Sequence, residues 1–206
     1  MRTMVKEYEV YTFAELTEEA KEEVKRWYLD DPCLTDDFTN WCGEILLDRF
    51  PNSEIDVQYS LAYCQGDGLN IYGNIYLDEV LDHVSGEFTA KELKFFKWLF
   101  NAFDSNYNLP MNNHYCYCIC DRCDYMEDYI DNMEYYNYKN IPYKTMEKFN
   151  QVVSDYLSDL CSHMEDSGYK WFYEISDDDL EEFCEANNYE FFFDGSIAWW
   201  FPDRKI

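Results

Sequence analysis

Ile55-Asp56-Val57-Gln58-Tyr59-Ser60-Leu61-Ala62-Tyr63-Cys64-Gln65-Gly66-Asp67-Gly68-Leu69-Asn70-Ile71-Tyr72-Gly73-Asn74-Ile75 is the stretch that decides the fold of this 206-residue chain. Ile55, Val57, Tyr59, Leu61 and Tyr63 alternate with polar or small residues. The alternation resumes at Leu69 and runs through Ile71, Gly73 and Ile75. A period of two is the pattern of a strand with one buried face. Gly66-Asp67-Gly68 supplies the turn between the two runs, so the stretch predicts a β-hairpin.

Helical spacing surrounds the hairpin on both sides. Glu7 to Tyr11 reads as a short strand, after which Thr12 with Glu15 three residues on forms a capping box. Leu16, Ala20, Val24, Trp27 and Tyr28 follow at helical spacing and stop near Asp30-Asp31-Pro32. Phe38 to Phe50 repeats the pattern, as do Glu92 to Phe103 and Lys144 to Met164. Tyr115 to Cys120 alternates and predicts a strand. Ser176 caps a short acidic helix carrying Leu180, Phe183 and Cys184. A closing hairpin is expected from Tyr189–Phe193, the Asp194-Gly195 turn and Ile197–Phe201. Helices interspersed with antiparallel hairpins give an α+β fold. The expectation is one compact acidic domain over 1–206, with 112–140 as a candidate cysteine-rich, metal-binding insertion.

The charge narrows the function classes. Asp and Glu number 43 against 16 Lys and Arg, a net charge of −27. Aromatic residues still make up 20% of the chain, which separates it from disordered acidic tails. Direct binding to nucleic acid is not expected, because phosphate contacts need clustered Lys and Arg. An anionic membrane should repel such a surface, and a basic protein surface should attract it. No apolar run approaches the ~20 residues of a membrane span. The start, Met1-Arg2-Thr3-Met4-Val5-Lys6-Glu7, has no apolar signal-peptide core. The expected setting is a reducing cytoplasm.

In such a compartment, clustered cysteines point to metal rather than to disulfides. Cys116, Cys118, Cys120 and Cys123 form a C-x-C-x-C-x-x-C run behind His114, and these four cysteines are the candidate metal ligands. Cys120 and Cys123, two residues apart in a turn, can both reach one zinc ion at ~2.3 Å. Alternate residues on an extended strand lie roughly 6.6 Å apart, so Cys116, Cys118 and Cys120 cannot all ligate unless the strand bends. The remaining ligands are then open among His114, Cys64 and Cys161 with His163. The alternative is a strand whose small thiols are simply buried. Two acidic runs are candidate partner-binding faces. One holds Asp121, Asp124, Glu127, Asp128 and Asp131, and the other Asp177, Asp178, Asp179, Glu181 and Glu182. Asp124/Asp128 and Asp177/Glu181 are expected as i, i+4 pairs. A solvated surface is the plainer reading of such runs, and Asp177 to Asp179 also suit the first turn of a helix. No nucleophile elbow, P-loop, dinucleotide fingerprint or His-Glu-x-x-His is present, so the expectation is a protein that does not catalyse.

Tyr59-Ser60-Leu61-Ala62-Tyr63-Cys64-Gln65-Gly66-Asp67-Gly68 resembles a segment found in a family of phage and prophage proteins. Tyr11-Thr12-Phe13-Ala14-Glu15-Leu16 is similar to that family's entry, and the hairpin from Asn188 to Ile197 to its closing segment. The resemblance implies a phage accessory protein and carries no activity with it. Together with the charge it sets the functional expectation: an anti-defence protein, similar in function to the acidic anti-CRISPR inhibitors. It would bind a basic surface of a type II CRISPR effector nuclease in the host bacterial cytoplasm and block nucleic-acid loading. A restriction-enzyme inhibitor acting as a DNA mimic is the near alternative. A small zinc metalloprotein with a regulatory role in phage metabolism is the other.

Overall fold

The computed structural model describes residues 7–31, 33–136, 138 and 141–198. The fold is α+β, with helices and a three-stranded antiparallel sheet. The chain divides into two compact units, Met1–Asp36 with Lys170–Ile206, and Asp37–Tyr169. The cysteine-rich stretch lies wholly inside the second unit.

In the first unit, Glu15 Oε2 accepts the N–H of Thr12 at 2.9 Å and closes the expected capping box. The box caps a single 3-10 turn, Phe13–Glu15. Thr17 then starts helix α1, Glu18–Leu29, its hydroxyl accepting the N–H of Ala20 at 3.4 Å. Helix α7, Asp177–Ala186, is capped by Ser176 as its sequence suggests. Phe13, Leu16, Ala20 and Val24 bury against Leu180, Cys184 and Phe191. The expected strand Glu7–Tyr11 is absent. Tyr11 makes one isolated antiparallel bridge, to Phe191, because no longer partner strand lies beside it. The closing hairpin is likewise reduced to a bridge between Phe191 and Ile197 around the turn at Gly195. The part of that hairpin from 199 to 201 lies outside the described residues.

The second unit is built on β2. Strands β1 (Glu54–Ser60), β2 (Gly68–Tyr76) and β3 (Asn106–Leu109) pair antiparallel in that order. Val57 faces Ile71, and Gly73 faces both Ile55 and Leu109. The first strand stops at Ser60 rather than Tyr63 for a local reason. Asp67 Oδ2 accepts the N–H groups of Ala62 and Cys64, both at 2.7 Å, and its Oδ1 accepts the Ser60 hydroxyl at 2.7 Å. The carboxylate thereby takes backbone donors that a strand ladder would otherwise need.

Helix α2 (Cys33–Arg49) begins five residues before the expected Phe38; it buries Phe38, Cys42 and Leu46 at a spacing of four, and Phe50, just past its end, continues the buried row. Helix α4 (Ala90–Phe103) carries the Thr89/Glu92 capping box. Helix α6 (Tyr143–Tyr173) is longer than its expected span. Two elements, α3 (Leu77–Val84) and β3, carry no sequence expectation. β3 reads Asn-Tyr-Asn-Leu, a composition with little strand propensity. It pairs because Gly73–Tyr76 of β2 offers an open edge. α5 (Glu127–Tyr135) completes the unit.

Candidate metal centre and acidic faces

β3 covers only Gly73–Tyr76 of β2, so the rest of that edge is met by the loop that follows β3. Asn70, fully buried, bridges the two: its Nδ2 donates to the Pro110 carbonyl at 3.2 Å and its Oδ1 accepts the N–H of Ile119 at 3.2 Å. Gln58 Nε2 donates to the Asn112 carbonyl at 2.9 Å, and Cys116 N–H donates to the Gly66 carbonyl at 2.9 Å. The hairpin glycines are where the loop comes closest. A Cβ on Gly66 would strike the Tyr115 ring, and one on Gly68 would sit 2.7 Å from the Tyr117 Cα. Both have positive φ, +94° and +145°. The Gln-Gly-Asp-Gly turn therefore serves as the seat for the cysteine-rich loop.

That seating corrects the expected strand Tyr115–Cys120. The alternation of Tyr115, Tyr117 and Ile119 reflects two tyrosines stacked on glycines and an N–H spent on Asn70. It does not reflect a ladder. At Ile119 the backbone turns (φ −121°, ψ 14°) into the 3-10 turn Cys120–Arg122. The bend folds Cys118 and Cys120 towards each other. Cys161 of α6 completes the group: the sulfurs of Cys118, Cys120 and Cys161 all lie within 4.8 Å of one another. Cys120 and Cys161 are buried and Cys118 is partly exposed, so the group has a mouth on the Cys118 side.

The Cys120 and Cys161 side chains beside Cys118 lower its thiol pKa against the cost of burial. The Cys120 N–H donates to the Cys118 sulfur at 3.5 Å, and the Cys118 thiol reaches the Ser158 hydroxyl oxygen at 3.9 Å. Bonding to Cys118 pushes the Cys120 and Cys161 thiols up in turn, and burial adds to it. The three sulfurs therefore act on one another as a single coupled group. In a tetrahedral zinc site with ~2.3 Å bonds the sulfurs sit roughly 3.8 Å apart, a spacing compatible with a group whose sulfurs all lie within 4.8 Å of one another.

Of the four expected ligands, the structure brings Cys118 and Cys120 together and not the other two. Cys116 lies beside Asp67, and burial raises its thiol pKa before the carboxylate does. The Cys123 thiol points to the Ile119 carbonyl at 3.7 Å and to the hydroxyls of Tyr107 and Tyr125. Cys64 is exposed, with its sulfur 3.1 Å from Asp67 Oδ1. Among the described residues, His114 and His163 do not join the group. Ser158 and Glu165 flank Cys161 on α6 and were not singled out by sequence. Their signal was present, since 158, 161 and 165 follow the i, i+3, i+7 spacing of one helix face. Burial raises the pKa of the Glu165 carboxyl, and the backbone at Leu69 works in the opposite direction.

The acidic faces lie one in each unit. On α7, Asp178 and Glu182 are exposed and Glu181 is half-exposed. Asp177 is paired with Lys25 at 2.6 Å, and Asp179 is bonded to the Ser176 cap, its Oδ2 accepting at 2.6 Å. Lys25, by that bond, lowers the Asp177 pKa. In the second unit, Glu127, Asp128 and Asp131 are exposed on α5. The expected Asp124/Asp128 helical pair does not form. Asp124 precedes α5, where its Oδ1 accepts the Met126 N–H at 3.1 Å and the Asn150 side chain at 2.6 Å. Asp121 is exposed, 4.0 Å from Arg122. Among the described residues, no helix is long and apolar enough to cross a membrane. Compared with protein-family models, curated proteins and solved structures, the chain matches none of them.

Proposed function

We propose that the protein is a phage-encoded anti-defence inhibitor that binds the basic nucleic-acid channel of a CRISPR effector nuclease, type II being the first choice, in the host cytoplasm. The observation that carries the reading is a net charge of −27 on a folded, aromatic-rich chain. Asp178, Glu182, Glu127, Asp128 and Asp131 are exposed and make no ion pair among the described residues, which leaves their charge available to a partner. Such a surface raises association rates with a basic groove and competes with the nucleic acid that the groove evolved to hold. The protein performs no catalytic step in this account; it occupies a surface. A cleavage assay with purified guide-loaded nuclease tests it. Inhibition is expected when the protein is added before target DNA and is lost when it is added after. Undiminished cleavage in both orders, for type II and other CRISPR nucleases, contradicts it. Neutralising Asp178, Glu181 and Glu182 together should weaken inhibition, while Asp177 and Asp179 are left in place for their structural bonds.

A second reading concerns the three-sulfur group. We propose that it holds a structural zinc ion that fixes the loop from Pro110 to Cys123 against β2 and α6. The three converging sulfurs support it. The two readings are compatible, because an ion that holds this loop also sets where the chain enters the α5 acidic face.

A further inference from the structure

The three-sulfur group supplies three ligands, and a structural zinc site takes four. Among the described residues, no fourth His, Cys, Asp or Glu lies within the same 4.8 Å set. One carboxylate is built into the same wall. Glu165 follows Cys161 by four residues on α6, which places their Cβ atoms about 5–6 Å apart on one face. Both side chains lie near β2: the backbone at Ile71 lowers the Cys161 pKa and the backbone at Leu69 lowers that of Glu165. The match is geometric. Four residues of helix rise about 6 Å and two residues of strand about 6.6 Å, so alternate residues of β2 register with successive turns of α6. Glu165 is half-buried, whereas His163, two residues along, is exposed on the other side of the helix. A glutamate side chain reaches further than a cysteine, and the open side of the group, at Cys118, is the side from which a longer ligand would enter.

We propose that Glu165 is the fourth ligand, closing a site of three thiolates and one carboxylate on a divalent ion of the zinc class held by Cys118, Cys120 and Cys161. The proposal rests on the zinc reading of the three-sulfur group. In forming the site, the ion displaces the protons of the cysteine thiols to solvent, and the Glu165 carboxylate turns onto the metal. No bond is oxidised or reduced.

Cobalt(II), a spectroscopic stand-in for zinc, is the probe. The full chain is freed of metal and titrated with it. Glu165→Gln keeps the side-chain shape while removing the charge, and Glu165→Asp restores a carboxylate. The unaltered chain is expected to bind about one equivalent with a thiolate-to-cobalt charge-transfer band and the intense visible bands of a four-coordinate ion. Glu165→Gln should bind about 10- to 100-fold more weakly. Its charge-transfer band per bound ion should be intact and its visible bands altered, and Glu165→Asp should recover part of the affinity. Equal affinity and equal spectra for the unaltered chain and both variants overturn the role of Glu165 and leave a three-sulfur site standing. No cobalt or zinc uptake by the unaltered chain overturns the zinc reading and this proposal together.

Discussion

Asp67 illustrates how much one side chain organises here. Its two oxygens take four donors from Ser60, Ala62 and Cys64, and the Ser60 hydroxyl and the Cys64 N–H lead in pulling its pKa down to about 2. A carboxylate whose folded pKa is depressed stabilises the fold above its unfolded value, about 3.9, and that stability is lost as pH falls through the folded value. The stability advantage of the native chain over Asp67→Asn, measured by denaturant unfolding, should therefore hold near neutrality. It should shrink between about pH 4 and pH 2. An advantage constant across that window would show that the charge is not what the loop uses. The sequence revealed Gly66-Asp67-Gly68 as a turn and no more. Turn chemistry is local, but the atoms that receive Asp67 and crowd the glycines come from Ser60 and from Tyr115 and Tyr117, across the fold.

At the level of elements, the strongly periodic segments were legible. The β1–β2 hairpin, α2, α4, α6 and α7 follow from spacing and caps that act within one segment. The failures share a cause. Glu7–Tyr11 and Tyr115–Cys120 alternate as strands do, but alternation records which side chains are covered, not whether a partner ladder exists. The candidate site was half legible for the same reason. Cys118 and Cys120 are neighbours in sequence, while Cys161 reaches them only through the packing of α6 on β2. Two glycine substitutions separate local from tertiary demands. Gly68→Ala forces a Cβ to within 2.7 Å of the Tyr117 backbone at φ +145°, and a cost of about 1–3 kcal/mol is expected. Gly43→Ala, inside α2 with nothing within 4 Å, should gain about 0.5–1 kcal/mol. Thermal unfolding of the two variants checks both signs. A harmless Gly68→Ala would mean that the loop is not seated on the hairpin.

For the whole molecule the deciding quantity is charge. A net −27 works against compaction, and the partners available to it, such as Lys25 for Asp177 and Lys148 for Glu92 at 3.3 Å, are few. Screening acts over about 10 Å at 0.1 M salt, so salt should relieve the self-repulsion and weaken any attraction to a basic partner together. That charge was visible in the composition, but its arrangement was not. Asp177, Asp179 and Asp124 prove to be occupied by Lys25, a helix cap and Asn150, and the faces left for a partner are narrower than the acidic runs suggest. The most direct measurement is the affinity of the protein for a purified guide-loaded type II nuclease, at about 0.05 M and about 0.5 M salt, with and without target DNA as competitor. Tight binding at low salt, displacement by target DNA and steep loss at high salt are expected. Absence of binding at low salt, or binding indifferent to both salt and DNA, would contradict it.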